Sequence, residues 1–382
     1  MTAMPDEPID PAPFQPLRGI RVIDFTRLLA GPYATMTLAE LGADVIKIEK
    51  PDAGDDTRAW GPPFVGEDSA YFHAINRGKR SVSLDLTRED DRENALSLIA
   101  DADVVVESFR PGVAERLGVG PDALTERFPG LIYASISGFS PAGPMWAEPG
   151  TAVTVEAESG LMQLTGYEDS GPVRSGVAMV DIATGMSMIN GVLAALLERT
   201  RTGRGRRIEV SLFATALSSL GTVIASASAG GPAPRPWGSG HPSIVPYRAF
   251  AAADGHAVLG ATNDPMFARL ATALDMEEEL GRDQWRRNEG RVRDRETLEA
   301  LLADRLAQLS VDEIAERLQK HRVLIARVRR ADDAARGAQA AAMGMVFEDD
   351  GVLIARSALG TNGTALLGRA PRLGEHNAEL LG

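Results

Sequence analysis

Short runs of β-branched and aliphatic residues alternate with longer amphipathic segments along about the first 140 residues. Strands are predicted for the apolar runs at 19–25 (GIRVIDF), 43–49 (ADVIKIE), 81–86, 102–107 (ADVVVE) and 131–137 (LIYASIS). Helices are predicted between them, for example at 33–41, ended by Gly42, and at 89–100. A strand, a helix and a second strand within about thirty residues form a βαβ unit, and such units build a parallel sheet. The pattern therefore predicts a doubly wound α/β fold with ligands at the carboxyl ends of its strands.

The second half of the chain has a different pattern. A helix is predicted at 181–200, ended by Gly203, and a strand at 207–211 leads into another helix. Residues 230–246 (GGPAPRPWGSGHPSIVP) form a Gly/Pro-dense loop, the clearest boundary in the sequence. A β-hairpin turning at Asp254-Gly255 is predicted at 247–260, a helix at 264–273 and an Ala-rich helical segment at 331–345. The length of 382 residues also predicts two domains, or one domain with a large insertion.

Composition narrows the function classes. The formal net charge of −13 argues against a nucleic-acid partner, because such surfaces use clustered Lys and Arg. The absence of cysteine excludes disulfides, thiolate metal sites and cysteine nucleophiles, and the five histidines form no paired zinc motif, so no metal is expected. No stretch approaches the roughly 20 apolar residues of a membrane span, and residues 1–16 lack the basic flank and apolar core of a signal peptide. We therefore expect a cytoplasmic protein with no membrane partner and a mobile N-terminal arm at 1–16.

The first βα turn (DFTRLLAGP) lacks the G-x-G-x-x-G pattern, which disfavours NAD or FAD binding and a nicotinamide oxidoreductase. The turn is either a plain βα loop or a site for a differently placed phosphate, with Arg27 supplying charge. Basic residues recur at successive predicted strand ends, which is compatible with a polyanionic cofactor; the alternative is solvated surface charge. These residues are Lys47, Lys50, Arg77, Lys79, Arg80, Arg110 and Arg116.

Asp181 lies between an apolar run and the helix predicted to follow it (GVAMVDIATG, 176–185). The ordinary role of such an aspartate is a helix N-cap, worth about 1 kcal/mol. The same position favours ionisation through the helix dipole and leaves a carboxylate available for nucleophilic attack. The residue pattern alone does not separate these two roles. Likewise, the segment at 237–242 (WGSGHP) is either a linker turn or a flexible loop whose glycines permit close approach to a ligand.

Eight sequence blocks follow one another along nearly the whole chain: DFTRLLAGPYATMTLAELGADVIKIEKPDAGDDTR, NRGKRSVSLDL, ADVVVESFRPGVAERLGVG, LIYASISGFSPAGP, GVAMVDIATG, RTGRGRRIEVSLF, GSGHPSIVPY and APRLGEHNAELLG. Together they resemble the class III coenzyme A (CoA)-transferase family. The resemblance implies an α/β fold in which a Rossmann-like large domain carries an inserted smaller α+β domain, and two ring-shaped chains interlock into a homodimer. It places the large domain at 17–203 and 331–382, a linker region at 204–229, and the small domain with its glycine loop at 230–330.

The resemblance also implies site residues. Asp181 matches the family's catalytic aspartate, and Gly238, Ser239, Gly240 and His241 match the mobile glycine loop that covers it. CoA would bind as a substrate, not as a permanently bound cofactor. It would contact Arg27, Leu28, Ala30, Lys50, Leu84, Ser108, Phe109 and Arg116. Thr151 and Glu156 stand where the sequence departs from the family pattern, which bears on the acceptor site.

The expected function is transfer of CoA from an acyl-CoA donor to a small carboxylic acid acceptor, through an aspartyl-CoA thioester on Asp181. An alternative of the same fold is an α-methylacyl-CoA racemase-type isomerase, but its histidine would fall at Thr151, so the second base is absent. A further alternative is a non-catalytic CoA-binding homologue, against which Asp181 and the glycine loop argue. The sequence does not specify the donor and acceptor acids.

Overall fold

The computed structural model describes residues 13–231, 233–349, 351–364 and 366–382. Most of the predicted arm at 1–16 therefore lies outside the described residues. Within the described part, the chain divides into two compact units. Of the described residues, the first unit comprises those within 13–161, 174–231 and 335–382, and the second unit those within 162–173 and 233–334.

The strands of the described residues are β1 (Arg21–Phe25), β2 (Asp44–Glu49), β3 (Phe64–Val65), β4 (Asp68–Ser69), β5 (Arg80–Ser83), β6 (Val104–Glu107), β7 (Ile132–Ser137), β8 (Arg207–Ser211), β9 (Tyr247–Ala252), β10 (Gly255–Gly260), β11 (Leu324–Arg327), β12 (Val346–Asp349) and β13 (Val352–Ala355). The α-helices are α1 (Ala30–Glu40), α2 (Ala70–Ile75), α3 (Glu89–Ala100), α4 (Val113–Arg116), α5 (Pro121–Arg127), α6 (Ala152–Glu158), α7 (Leu161–Leu164), α8 (Met179–Thr202), α9 (Leu212–Ser219), α10 (Gly221–Ser228), α11 (Asp264–Ala273), α12 (Glu277–Leu280), α13 (Asn288–Arg293), α14 (Arg295–Leu306), α15 (Val311–Lys320), α16 (Ala331–Ala335), α17 (Ala338–Met343) and α18 (Asn377–Leu380). Short 3-10 helices lie at Asp56–Ala59, Asp283–Trp285 and Ala358–Asn362.

A six-stranded parallel sheet organises the first unit, in the order β5-β2-β1-β6-β7-β8. This is the Rossmann order, in which the chain leaves β1 toward one edge and later returns to its other side at β6. The predicted parallel sheet is therefore confirmed, with each predicted strand present and shifted by no more than a few residues at its ends. Small antiparallel pairs, β3 with β4 and β12 with β13, accompany the sheet.

Helices cover both faces of this sheet because its strands are apolar on both sides. Val22 packs in one buried cluster, which also contains residues of α1 and α8. Its neighbour Ile23 packs in another, with residues of α3 and α5. On the first face, α1 and α8 approach so closely that a Cβ at Gly185 would lie 2.7 Å from the carbonyl oxygen of Ala30. This close approach fixes the start of α8 against the first βα loop.

Helix α8 is longer and more apolar than the sequence analysis indicated. Among the described residues, it alone is long and apolar enough to cross a membrane by length and composition. About 44% of its apolar window is buried inside the protein, with Met188 and Val192 fully buried. Gly203 ends the helix with φ 68°, as predicted. Its packing is that of a core helix of the first unit.

The second unit is built on a three-stranded antiparallel sheet, β11-β10-β9, packed by α11 to α15. The predicted hairpin at 247–260 is confirmed, although Ala252 pairs with Gly255, so the turn lies at Ala253–Asp254, one residue earlier than expected. Fully buried Trp285, Leu298 and Leu302 belong to its core.

The predicted domain boundaries need two corrections. Residues 204–229 are not a linker, because β8 pairs with β7 along its whole length and so completes the sheet of the first unit. Residues 162–173, expected in the large domain, belong to the second unit. In this segment Gly166 accepts a hydrogen bond from the backbone N–H of Gly238 (2.8 Å).

Candidate functional site

A cleft with a cavity volume of about 220 Å³ opens at the carboxyl ends of β1, β2, β5 and β6. It lies at the point where the strand order reverses, which is where ligands bind in doubly wound folds. Four of the predicted CoA-binding residues line it: Arg27, Lys50, Leu84 and Phe109. The ring of Phe109 lies 5.9 Å from that of Phe25, and its backbone N–H donates to Glu107 (2.7 Å).

The other four predicted CoA-binding residues are placed around the cleft rather than along its wall. Ser108 accepts a hydrogen bond from the backbone N–H of Arg27 (3.1 Å), which ties the loops after β1 and β6 together. Leu28 is 39% exposed and holds φ 70°, a left-handed conformation that costs energy for a residue with a branched side chain. Ala30 is buried at the start of α1, and Arg116 is exposed at the end of α4.

The first βα loop rests on a buried ionic network. Lys79 pairs with Asp24 (2.9 Å) and Lys47 with Asp55 (3.0 Å), and all four side chains are almost completely buried. Lys47 also donates to the carbonyl oxygen of Thr26 (2.7 Å), and the Thr26 backbone N–H donates to Asp24 (2.8 Å). Burial opposes ionisation of Asp24, but Lys79 and Lys47 hold its pKa well below the usual range. Burial lowers the pKa of Lys79 to about 8, so both members of this pair are charged at pH 7.

This network corrects the interpretation of the basic residues at the strand ends. Lys47 and Lys79 are buried, and their ammonium groups are paired with Asp55 and Asp24, so neither is a free surface charge for a phosphate. Arg77 is buried and forms an ion pair with Asp349 (2.6 Å), and Arg80 forms an ion pair with Asp44 (2.5 Å). Of the seven basic residues predicted at strand ends, Lys50, Arg110 and Arg116 are exposed.

Asp181 is the third residue of α8, since the helix begins at Met179 and Ala178 occupies the N-cap position. The N-cap role considered from the sequence is therefore wrong. Within the residues that the structure describes, the half-buried Asp181 carboxylate has neither a hydrogen bond nor an ion pair. Burial and the nearby Glu156 carboxylate raise its pKa to about 6. The sequence analysis expected the helix dipole to favour ionisation, whereas burial and Glu156 shift the pKa of Asp181 in the opposite direction.

The two positions that depart from the family pattern lie on α6, which packs beside α8. Thr151 is the N-cap of α6 and forms a capping box with Thr154, so its side chain has a structural role. Glu156 is only 2% exposed and accepts a hydrogen bond from the backbone N–H of Ser175 (3.0 Å). The structure thus brings Glu156, but not Thr151, into electrostatic contact with Asp181.

Sequence reasoning missed the aromatic residues near Asp181. Burial, the Asp181 carboxylate and Asp55 raise the pKa of Tyr71 to about 12, which places the phenol in the field of both carboxylates. The exposed ring of Trp60 lies 5.4 Å from that of Tyr71. No spacing rule connects positions 60 or 71 with 181, so only the fold reveals this grouping.

The predicted glycine loop lies in the second unit. Gly238 has φ 58°, and a Cβ there would lie 2.3 Å from the ring of Tyr167, so both conformation and space require glycine. Gly240 donates its N–H to the Trp237 carbonyl (2.8 Å), Ser239 accepts from the N–H of Ala249 (3.1 Å), and His241 donates its N–H to Tyr247 (3.1 Å). The segment is thus an ordered turn with specific contacts.

Arg295 holds the end of this loop. Its guanidinium donates to the carbonyl oxygens of His241 and Pro242 (2.9 Å each) and lies 4.8 Å above the Trp237 ring. We expect Arg295→Met to increase hydrogen exchange of the loop amides at least about tenfold, because charge-assisted bonds of this kind each contribute about 1.5–3 kcal/mol. Hydrogen exchange read by mass spectrometry measures this effect. Arg293→Met, an exposed neighbour bonded to Asp294, is the matched control, and equal exchange in the two variants contradicts the assignment.

Rossmann topology, a switch-point cleft and an unpaired carboxylate in the same unit are features of an α/β enzyme. The model of CoA-transferase family III matches residues 17–377. A succinyl-CoA:glutarate CoA-transferase of Mus musculus is 42% identical over 77% of this chain and 67% of its own length. A succinate–glutarate CoA-transferase of Agrobacterium fabrum is 35% identical over 96% of this chain and 95% of its own. The crystal structure of a CaiB/BaiF family protein from Brucella suis superposes with a TM-score of 0.87, 37% identity and coverage of 96% and 99% of the two chains.

The chain therefore belongs to CoA-transferase family III. It is a class III CoA-transferase, an enzyme that moves CoA between carboxylic acids, with CoA esters as substrates. The predicted family and enzyme class are confirmed.

Proposed function

We propose that this protein transfers CoA between dicarboxylic acids through an aspartyl-CoA thioester on Asp181. The observation that carries the proposal is the state of the Asp181 carboxylate: half-buried, without an ion pair or hydrogen bond among the described residues, and in the unit that holds the switch-point cleft. A carboxylate that is not engaged in structure is available to attack a thioester.

The proposed reaction has two halves. An Asp181 oxygen attacks the thioester carbonyl of the donor, the C–S bond breaks, and a mixed anhydride and CoA thiolate result. The thiolate then attacks the aspartyl carbonyl carbon, the anhydride C–O bond breaks, and the donor acid leaves as a carboxylate. The acceptor carboxylate attacks the aspartyl-CoA thioester in turn, and the released thiolate takes the acceptor acyl group, which restores Asp181.

The CoA moiety of the donor is assigned to the cleft at the ends of β1, β2, β5 and β6. Arg27 and Lys50 supply positive charge at its edge, although each also pairs with Asp56 (2.9 and 3.6 Å). Leu84 and Phe109 supply apolar surface for the adenosine end. Leu28, Ala30, Ser108 and Arg116 complete the proposed contacts, with the glycine loop at Gly238–His241 proposed to keep water from the reacting ester.

The dicarboxylic substrate class is supported by the relatives, both of which are named for succinate or succinyl-CoA together with glutarate. A racemase-type isomerase is less well supported, since it needs a second base beside the aspartate. Position 151, where that base is expected, is a threonine used as a helix cap. The interlocked homodimer remains part of the proposal and is supported by the family resemblance.

Trapping of the covalent intermediate tests the proposal. The protein is incubated without acceptor with succinyl-CoA, glutaryl-CoA, acetyl-CoA or benzoyl-CoA, and its intact mass is measured. We expect an adduct of CoA mass, removed by hydroxylamine, to form most with the two dicarboxylic donors and to be absent from Asp181→Ala. An adduct that persists in Asp181→Ala contradicts the nucleophile, and a preference for acetyl-CoA or benzoyl-CoA contradicts the substrate class.

A further inference from the structure

The C-terminal segment at 371–380 lies against β5, the edge strand of the six-stranded sheet. An edge strand presents backbone groups that no further strand satisfies. Here the carbonyl oxygen of Ser81 accepts a hydrogen bond from the backbone N–H of His376 (3.0 Å), and the Ser81 N–H donates to Nδ1 of the His376 ring (3.2 Å). The backbone N–H of Ser83 donates to the side-chain oxygen of Asn377 (2.9 Å). The C-terminal segment therefore covers part of this sheet edge.

The same segment is linked to Glu49 at the end of β2. The Ser81 hydroxyl accepts a hydrogen bond from the backbone N–H of Gly374 (3.0 Å) and donates to Oε1 of Glu49 (2.7 Å). Arg58 forms an ion pair with Glu49 (2.6 Å) and donates to the carbonyl oxygen of Pro371 (3.2 Å). A hydroxyl and a guanidinium thus join the C-terminal segment to one carboxylate. Glu49, Ser81 and Arg58 are all buried, where such bonds are stronger than in water.

Glu49 in turn supports the loop at 50–55 (the cleft loop), which contributes to the wall of the switch-point cleft. Oε2 of Glu49 accepts a hydrogen bond from the backbone N–H of Asp55 (2.9 Å). A Cβ at Gly54 would lie 2.7 Å from the same oxygen, so the backbone of the cleft loop rests directly on this carboxylate. Oδ1 of Asp55 accepts a hydrogen bond from the N–H of Leu28 (3.4 Å), which joins the cleft loop to the first βα loop. Contacts therefore run without a break from the C-terminal segment to both loops.

We propose that the C-terminal segment positions the CoA-binding cleft: through Ser81 and Arg58 it fixes Glu49, which supports the cleft loop. None of the described residues at 366–382 lines the cleft, so the segment acts on bound CoA through these contacts alone. The inference rests on the proposed function, which assigns the CoA moiety of the donor to this cleft. Ser81 and Arg58 are positioning residues, which hold the site without touching the substrate.

The position of the cleft loop matters for CoA because this loop and the first βα loop supply the positive charge at the edge of the cleft. Lys50 begins the cleft loop, Arg27 lies in the first βα loop, and both residues line the cleft. Their side chains are about half exposed, and each pairs with Asp56 (3.6 and 2.9 Å). Because exposed ion pairs of this kind are weak, the backbone beneath these side chains sets their position. A shift of that backbone lowers the affinity for the CoA phosphates and leaves the reacting groups unchanged.

Ser81→Ala tests the inference, because it removes the hydroxyl between Gly374 and Glu49 and retains the backbone bonds of β5. We expect the dissociation constant for CoA, measured by isothermal titration calorimetry, to rise about fivefold, the effect of about one hydrogen bond. The rate of adduct formation at saturating donor should stay within about twofold of the wild-type rate, since the reacting groups are unchanged. Ser83→Ala, the same change two residues along β5, is the matched control, because the Ser83 hydroxyl has no hydrogen bond among the described residues.

Hydrogen exchange of the wild-type protein provides an independent test. Coupling between two sites is reciprocal, so CoA must stabilise the docked C-terminal segment by the factor by which that segment favours CoA. We expect saturating CoA to slow exchange of the amides at 374–380 at least about fivefold, measured by mass spectrometry. The amides of α9, which follows the opposite edge strand β8, are the control for a general gain in stability.

The outcomes separate this inference from the proposed function. If the wild type forms the adduct, either a wild-type CoA affinity in Ser81→Ala or unchanged exchange at 374–380 overturns the inference and leaves the proposed function standing. If the wild type binds no CoA and forms no adduct with any donor, the proposed function fails and the inference fails with it. Should Ser81→Ala fold poorly by circular dichroism, the wild-type exchange decides. Slowing by CoA at 374–380 but not in α9 then supports the inference, and equal slowing in both segments, or none, contradicts it.

Discussion

Asp181→Asn is expected to abolish CoA transfer and at the same time to make the protein more stable at neutral pH. Loss of the nucleophile removes the covalent route, so transfer should fall by at least about a thousandfold. Stability should rise because the ionised carboxylate is half-buried beside Glu156 and has no compensating partner among the described residues. Asp181 would then lower the stability of the fold while it performs the reaction, which is the trade-off between stability and activity expected of a buried nucleophile.

The sign of the stability effect follows from the raised pKa of Asp181. Its folded-state pKa of about 6 exceeds the ordinary value of 3.8, so ionisation costs more in the folded state than in the unfolded chain. This cost is absent below pH 3.8, grows between pH 3.8 and 6, and stays constant at higher pH. The shift corresponds to about 3 kcal/mol at most, and partial solvent exposure reduces the expected gain to about 1–2 kcal/mol.

Chemical denaturation of wild type and Asp181→Asn at pH 7.5 and pH 4.5 measures this gain. We expect the free energy of unfolding of the variant to exceed that of the wild type at pH 7.5, and the difference to shrink at pH 4.5. Asp169→Asn, an exposed position, should show no gain at either pH. A variant that is less stable than the wild type at pH 7.5 contradicts the assignment of an unpaired carboxylate at 181.

The parallel sheet could be predicted because its strands are buried on both faces and therefore form continuous apolar runs. The run ADVVVE of β6 has its three central valines fully buried, which leaves little ambiguity in the pattern. The helix end at Gly203 and the hairpin of β9 and β10 could also be predicted from the sequence. A left-handed helix cap and a tight turn each restrict the residue types that can occupy them. The order of the strands, however, came only with the structure.

The predictions that failed depend on long-range contacts. Lys47 and Lys79 carry the same charge in the sequence as Lys50, and only the fold shows that the first two are buried and paired with Asp55 and Asp24. The boundary at 204–229 was wrong although the strand at 207–211 was predicted, because no local pattern shows that this strand pairs with β7. The ionisation of Asp181 was misjudged because its burial, and the charge of Glu156 twenty-five positions earlier, both arise from the fold and have no local signal in the sequence.

Lys79→Met is expected to destabilise the protein strongly, even though position 79 lies outside the reacting groups. Methionine preserves the length and apolar stem of lysine but leaves Asp24 fully buried with a missing cation. The remaining partners of Asp24 are Thr26, Thr35 and the charge of Lys47. Removal of one member of a buried ion pair costs about 3–5 kcal/mol, because the other charge stays desolvated.

The double variant Asp24→Asn/Lys79→Met separates loss of the charge pair from loss of packing. If the unpaired charge causes the damage, the double variant should recover much of the lost stability, since replacing both members of a buried pair is often nearly neutral. Urea denaturation at pH 7 measures the three variants, with Lys320→Met at an exposed helix end as the control. A double variant as unstable as Lys79→Met would show that Lys79 acts through Asn76 and Pro32, to which it also donates (2.8 and 3.0 Å). Recovery in the double variant would show that the unpaired Asp24 charge, and not the lost packing of Lys79, causes the loss of stability.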